Sequence, residues 1–255
     1  MKASLVLTLI ITMSLVGVVS TYAQEPEIII YSTPQEYEKL TGKKIVKFQE
    51  SPMLRVKVAA GELPSVEKRL PEEPLVMKPL KEIGQYGGTL HSFTTYSNAG
   101  EAADLAEYPT LLSVDSKYRL VPNIAKKWEF SKDGKTLTIY LRKGMKWSDG
   151  VPFTADDIMF WWEDTQLNED LSPGGPLSYY RPGGETMKVE KIDDYTVRFH
   201  FSLPYTIIEN WLSVDTGPGA NPKHYLKQFH IKYNPKANEL AKEHGFNHWY
   251  EYFKD

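Results

Sequence analysis

The 255-residue chain contains no cysteine. That absence excludes a disulfide framework, thiolate zinc sites, iron–sulfur clusters, a cysteine nucleophile and a lipid anchor on cysteine. Neither sign of charge is in excess: 30 Lys and Arg stand against 33 Asp and Glu, a formal charge of −3, which argues against a nucleic-acid binder. Charged residues at 25% and hydrophobic residues at 41% are ordinary globular values and exclude a wholly disordered chain. Long apolar runs are missing too, with one exception. Ala3 to Val19 follows Lys2 without a charge and ends near Thr21-Tyr22-Ala23, a small-x-small cleavage pattern before Gln24. At 17 residues the run sits at the lower limit of the roughly 17–25 a bilayer span requires. Residues 1–23 are therefore expected to be a signal peptide, and the exported remainder to be soluble and held together by its core alone.

What the chain has in quantity is turns and rings: 17 Gly, 17 Pro, 16 Tyr and 6 Trp. Residues 24–86 are rich in Pro, Glu and Lys and read as an N-terminal extension of short elements laid over a domain surface. Within it, Pro34 to Leu40 closed by Gly42, and Met53 to Gly61, read as short helices. From residue 87 the pattern sharpens into one larger unit, 87–255. Thr89 to Thr95 reads as a strand followed by a polar loop. Leu137, Ile139 and Leu141 alternate with Thr138, Tyr140 and Arg142, the period of a half-buried strand. Asp133-Gly134 joins it to Trp128–Ser131 in a hairpin, expected as a type I′ turn. A second hairpin is expected to turn at Asp193-Asp194, with Tyr195, Val197, Phe199 and Phe201 on one face. Thr154-Ala155-Asp156-Asp157 is a capping box, and Ile158, Trp161, Trp162 and Thr165 continue as a helical stripe. Of the adjacent Trp161 and Trp162, one is expected in the core and the other at a surface. Strand hairpins and capped helices together indicate an α/β or α+β class with a mixed sheet.

The run from Tyr108-Pro109-Thr110-Leu111-Leu112 through Leu120-Val121-Pro122-Asn123 to Trp128-Glu129-Phe130 matters as a whole. It continues through Asp133-Gly134-Lys135, Met145-Lys146-Trp147-Ser148-Asp149-Gly150 and Phe153-Thr154-Ala155-Asp156-Asp157. Asp193 to Phe201, Pro204-Tyr205 and Pro222-Lys223-His224-Tyr225 follow in order. This series, over about residues 84–232, resembles the N-terminal lobe of the family 5 extracellular solute-binding proteins, the peptide, nickel and oligosaccharide receptors of ABC importers. The resemblance implies a periplasmic-binding-protein-like α/β fold (type II, cluster C), here a mixed-sheet lobe I that is incomplete, with the second lobe absent. It also implies a periplasmic monomer that delivers an oligopeptide, or alternatively an oligosaccharide, to a membrane permease. No cofactor, metal, nucleic acid or catalysis is implied. Family members are about twice as long, so a fragment carrying one wall of a cleft is expected.

By that resemblance Thr95, Tyr96, Ser97 and Asn98 lie at the cleft, where polar groups at a strand end reach a ligand. Trp211 is a candidate stacking residue, and the loops Gly174–Tyr180 and Gly217-Pro218-Gly219 are candidates to close over a ligand. Other chemistry is thinly supported. His244 and His248 stand at i, i+4, but Gly245 weakens the helix and no Glu follows His244. Asp156/Asp157 and Asp193/Asp194 raise a secreted carboxylate hydrolase as a rival. Sequence neighbours diverge on a strand, however, and the first pair already serves as cap charges.

Overall fold

The computed structural model describes residues 29–89, 91 and 110–255. The proposed signal peptide and most of the strand expected at Thr89–Thr95 lie outside them. After a separate pair, β3 (Leu112–Val114) and β4 (Leu120–Pro122), comes the central element, a four-stranded antiparallel sheet of β5 (Ala125–Phe130), β6 (Thr136–Leu141), β7 (Lys188–Asp193) and β8 (Thr196–His200), in the order β5-β6-β8-β7. Two hairpins build it, as expected. Every ladder among the described residues is antiparallel. A parallel strand that makes the sheet mixed is not among them.

Side-chain alternation decides which face is buried. Leu137, Ile139 and Leu141 on β6, and Val197 and Phe199 on β8, are fully buried, while Thr138, Tyr140 and Arg198 point to the half-exposed face. The turns differ from expectation. At Lys132–Lys135 only Gly134 has positive φ (+67°), and its amide donates to the Ser131 carbonyl. The turn is thus not type I′. Asp133 Oδ1 accepts from Ser131 Oγ (2.6 Å) and Lys135 N (3.1 Å), holding a longer loop in place. The second turn sits one residue later, at Asp194-Tyr195, because a register shift between Lys191 and Asp193 takes up a residue.

A helix covers the inner face of the sheet. Thr154 N donates to Asp157 Oδ2 (2.9 Å), and the Thr154 hydroxyl accepts at the N-terminus of the helix Ala155–Met159, completing the predicted capping box. The chain then continues as a π-helix over Phe160–Gln166. Trp161 and Trp162 are both buried, which corrects the expectation that one faces outward. The wider π turn brings successive residues closer in angle, and Tyr180 packs edge-on against both rings at 5.2 and 5.8 Å. Phe160 faces the other way, onto His230, Tyr233 and Phe253. There Leu171, Ala237 and Trp249 form a second, smaller core with the helices Ala237–Glu243 and Trp249–Lys254.

His230 lies inside this second cluster. Its Nδ1 accepts from Lys232 N (3.1 Å), so its Nε2 carries the proton and donates to the Asp164 carbonyl (3.0 Å). The bond that Nδ1 accepts requires a neutral ring, and burial lowers the pKa from the ordinary value of 6.5 against the opposing pull of Asp164.

Residues 29–89 hold the strand pair β1 (Ile29–Tyr31) and β2 (Val76–Lys78) and the helices Pro34–Thr41, Pro52–Ala59 and Val66–Arg69. The first helix ends at Gly42 in the left-handed region, as its sequence predicts. Of these described residues only Tyr31 and Pro74 are buried. Polar contacts therefore attach the segment. Arg142, almost fully buried, donates to the carbonyls of Asn123 (2.6 Å), Glu73 (3.0 Å) and Ser32. Lys126 pairs with Glu73 at 2.6 Å, and Ser32 Oγ donates to the Lys126 carbonyl.

Two outcomes follow. Nuclear magnetic resonance titration of His230 is expected to place its pKa below 6.5, so this group's stabilisation is complete at neutral pH and is lost as pH falls below 6.5. A value at or above 6.5 contradicts the neutral-ring assignment. Arg142→Met leaves three partly buried carbonyls short of a donor and is expected to cost about 3 kcal/mol. Proteolysis should then cut faster within residues 29–89 than in the sheet; unchanged protection there refutes the clamp.

Candidate functional site

Trp211 ends the short helix Ile208–Trp211, whose other side is pinned. Ile208 and Leu212 on either side of the turn are fully buried, and the Leu212 carbonyl accepts from Leu112 N at 3.0 Å. Glu209 accepts from the Trp128 indole at 2.8 Å, tying the helix to the sheet. With its neighbours held inward, Trp211 is left 40% exposed. Its ring stacks on Tyr179, centroids 4.5 Å apart and planes 6° from parallel.

Tyr179 comes from the other candidate loop, in the 3₁₀ turn Ser178–Tyr180. Asp215 joins the two loops. Its Oδ2 accepts from the Tyr179 hydroxyl (2.9 Å) and from the Tyr180 hydroxyl, and its Oδ1 accepts from Gly217 N (2.8 Å). Burial, reinforced by the Asp215 charge, raises the pKa of both tyrosines, so both hydroxyls stay protonated donors at neutral pH. Gly217 carries no side chain for a steric reason: a Cβ there lies 2.7 Å from Trp161 Nε1 and 3.1 Å from Asp215 Oδ1. The floor of the site is thus the buried Trp161, Trp162 and Tyr180 cluster.

Of the sequence-predicted site residues, Thr95, Tyr96, Ser97 and Asn98 lie outside the described residues. Trp211 and the Gly174–Tyr180 and Gly217–Gly219 loops are brought together. Tyr179 entered the sequence reading only as part of the Gly174–Tyr180 loop, and Asp215 was not singled out, although it stands four residues after Trp211, one helical turn on. The carboxylate pairs of the hydrolase rival are already engaged. Asp157 is buried and accepts from the Thr154 and Lys223 amides, and burial raises its pKa. Lys191 bridges Asp156 (3.1 Å) and Asp194 (2.8 Å). His244 and His248 stack on Tyr252 and Tyr250 and belong to the ends of different helices.

The model of the bacterial extracellular solute-binding proteins, family 5, matches residues 119–248. The chain belongs to this family. Among its curated relatives, the periplasmic alpha-galactoside-binding protein of Rhizobium meliloti (strain 1021) is 32% identical over 84% of this chain and 32% of its own length. Among solved structures, an oligopeptide-binding protein OppA superposes with a TM-score of 0.80 at 44% identity, covering 89% of this chain and 35% of that one. The periplasmic binding protein MelB of Agrobacterium fabrum C58, in complex with stachyose, gives 0.64 at 31% identity over 80% of this chain and 34% of that one. The family 5 chain thus spans about a third of the length of these relatives. Its fold is the periplasmic-binding-protein-like α/β lobe that the sequence implies.

Gly217→Ala is expected to lower stability by about 1–3 kcal/mol through overpacking against Trp161, since the Gly217 backbone itself is unstrained. Thermal unfolding together with the near-ultraviolet dichroism of the tryptophans measures this. An unperturbed spectrum and melting point contradict the close contact.

Proposed function

We infer that this chain supplies one ligand-binding wall of a periplasmic receptor that captures a short oligomer, oligopeptide or oligosaccharide, and delivers it to the permease of an ABC importer. One observation carries the reading: the match over residues 119–248, with the same lobe seen in a protein named for oligopeptide binding and in another holding stachyose. In this reading residues 1–23 direct export and are removed. Thr95, Tyr96, Ser97, Asn98 and Trp211 face the ligand, and the receptor is a non-enzymatic monomer. Capture proceeds by hinge closure, in which ligand contacts stabilise a closed arrangement of two lobes over the open one. The permease can read occupancy only through that difference, because a ligand held equally by both states shifts nothing.

Thermal unfolding of the full chain with tetraalanine or stachyose tests the reading. A ligand at a hundredfold excess over its dissociation constant stabilises by about 2.7 kcal/mol, roughly 5–10 °C in melting temperature for a chain of this size. The expected outcome is a dose-dependent rise with one of the two and no turnover of it. No shift with either, or release of hydrolysis products, overturns the assignment.

A further inference from the structure

Trp211 stands out against its surroundings. Tyr179 covers one face of the indole, and Trp211 as a whole stays 40% exposed. The stack is rigid, since the Tyr179 hydroxyl is fixed to an Asp215 carboxylate that two further donors hold in place. Ile207, Trp211 and Val214 follow one another at i, i+4 and i+7, and Leu177 stands on the neighbouring loop; all four are exposed. The result is a flat aromatic surface with an aliphatic rim.

Charge narrows what such a surface recognises. Asp215 is engaged by three donors, and Glu209, on the same short helix, by the Trp128 indole. Both carboxylates thus already carry partners, and the exposed side chains grouped with the ring, Ile207, Val214 and Leu177, bring no charge for the ammonium of a peptide terminus. A pyranose ring matches the remaining chemistry, with a C–H face that packs on an indole and hydroxyls that stay hydrated at its edge. Pre-set ring geometry also limits the conformational freedom lost on binding.

We propose that the open face of Trp211, backed by Tyr179 and locked by Asp215, is a stacking platform for one ring of a neutral oligosaccharide. The proposal rests on the receptor reading and assigns its substrate class.

Calorimetric titration of the full chain with stachyose, maltotetraose, cellotetraose, mannotetraose and tetraalanine tests it. At least one tetrasaccharide is expected to bind. Its affinity should fall about tenfold or more in Trp211→Ala but less than about threefold in Trp211→Phe, which keeps a ring. A second readout uses the native chain. Trp211 is the one exposed tryptophan of the six, so bound saccharide should shield the fluorescence from acrylamide quenching. This readout stands even where Trp211→Ala fails to fold. Saccharide binding without shielding, or with affinity unchanged in a folded Trp211→Ala, overturns the platform. Binding of tetraalanine and of no saccharide overturns it as well, yet leaves the receptor reading intact. Binding of neither class removes both.

Discussion

The fold turns on one helix that is buried on two sides. From Ala155 to Gln166 the chain packs Ile158, Trp161 and Trp162 onto the sheet, and Phe160 onto the C-terminal helices. A surface helix buries one stripe, and its other face is polar. Here Asp164 is the polar residue on the second side, and it is buried too, with Lys232 at 2.6 Å and the Tyr233 hydroxyl on its carboxylate. A charge can be held in that position only because partners satisfy it, which is why the segment after the sheet must fold back over the helix. The two cores are therefore not independent: each stabilises the helix on which the other depends.

The candidate site inherits its rigidity from the same helix. Trp161 lies beneath Gly217 and beside Tyr180, so the loops carrying Tyr179 and Asp215 rest on a packed aromatic floor. A hydroxyl–carboxylate network on a mobile loop loses much of its binding contribution to the entropy of ordering. On a close-packed floor that entropy is lost during folding, and the exposed ring of Trp211 is presented in one orientation.

What the sequence made legible was local. Alternation in β6 and β8, the Thr154–Asp157 box and Gly42 as a helix end depend on residues within a turn of each other, and all three stand in the structure. Turn type did not follow from the Asp133-Gly134 dipeptide, because Asp133 uses its side chain to hold a longer loop. The burial of both Trp161 and Trp162 was hidden, since it needs a π turn and the ring of Tyr180, which a later loop brings against both indoles. Arg142 reads as the polar member of an alternating strand; its partners at Ser32 and Glu73 are far away in sequence, and only the folded chain identifies it as the clamp. Trp211 was visible as a candidate by its type, but its partner Tyr179 and the shared Asp215 come together only through tertiary structure.

An exposed indole is costly to keep. Its apolar surface gains roughly 25 cal/mol per Å² when water is removed, a gain that the free lobe forgoes at Trp211 and along Ile207, Val214 and Leu177. Local packing leaves the ring outside, because Ile208 and Leu212 beside it are fully buried and hold the helix by its other side. On the receptor reading the forgone stabilisation is what couples binding to closure. Ligand and opposing wall recover it together, and only in the closed arrangement, so it enters the difference between open and closed states instead of the stability of either lobe. On the same reading a polar residue at 211 removes that difference, which places Trp211 among the residues that set the switch.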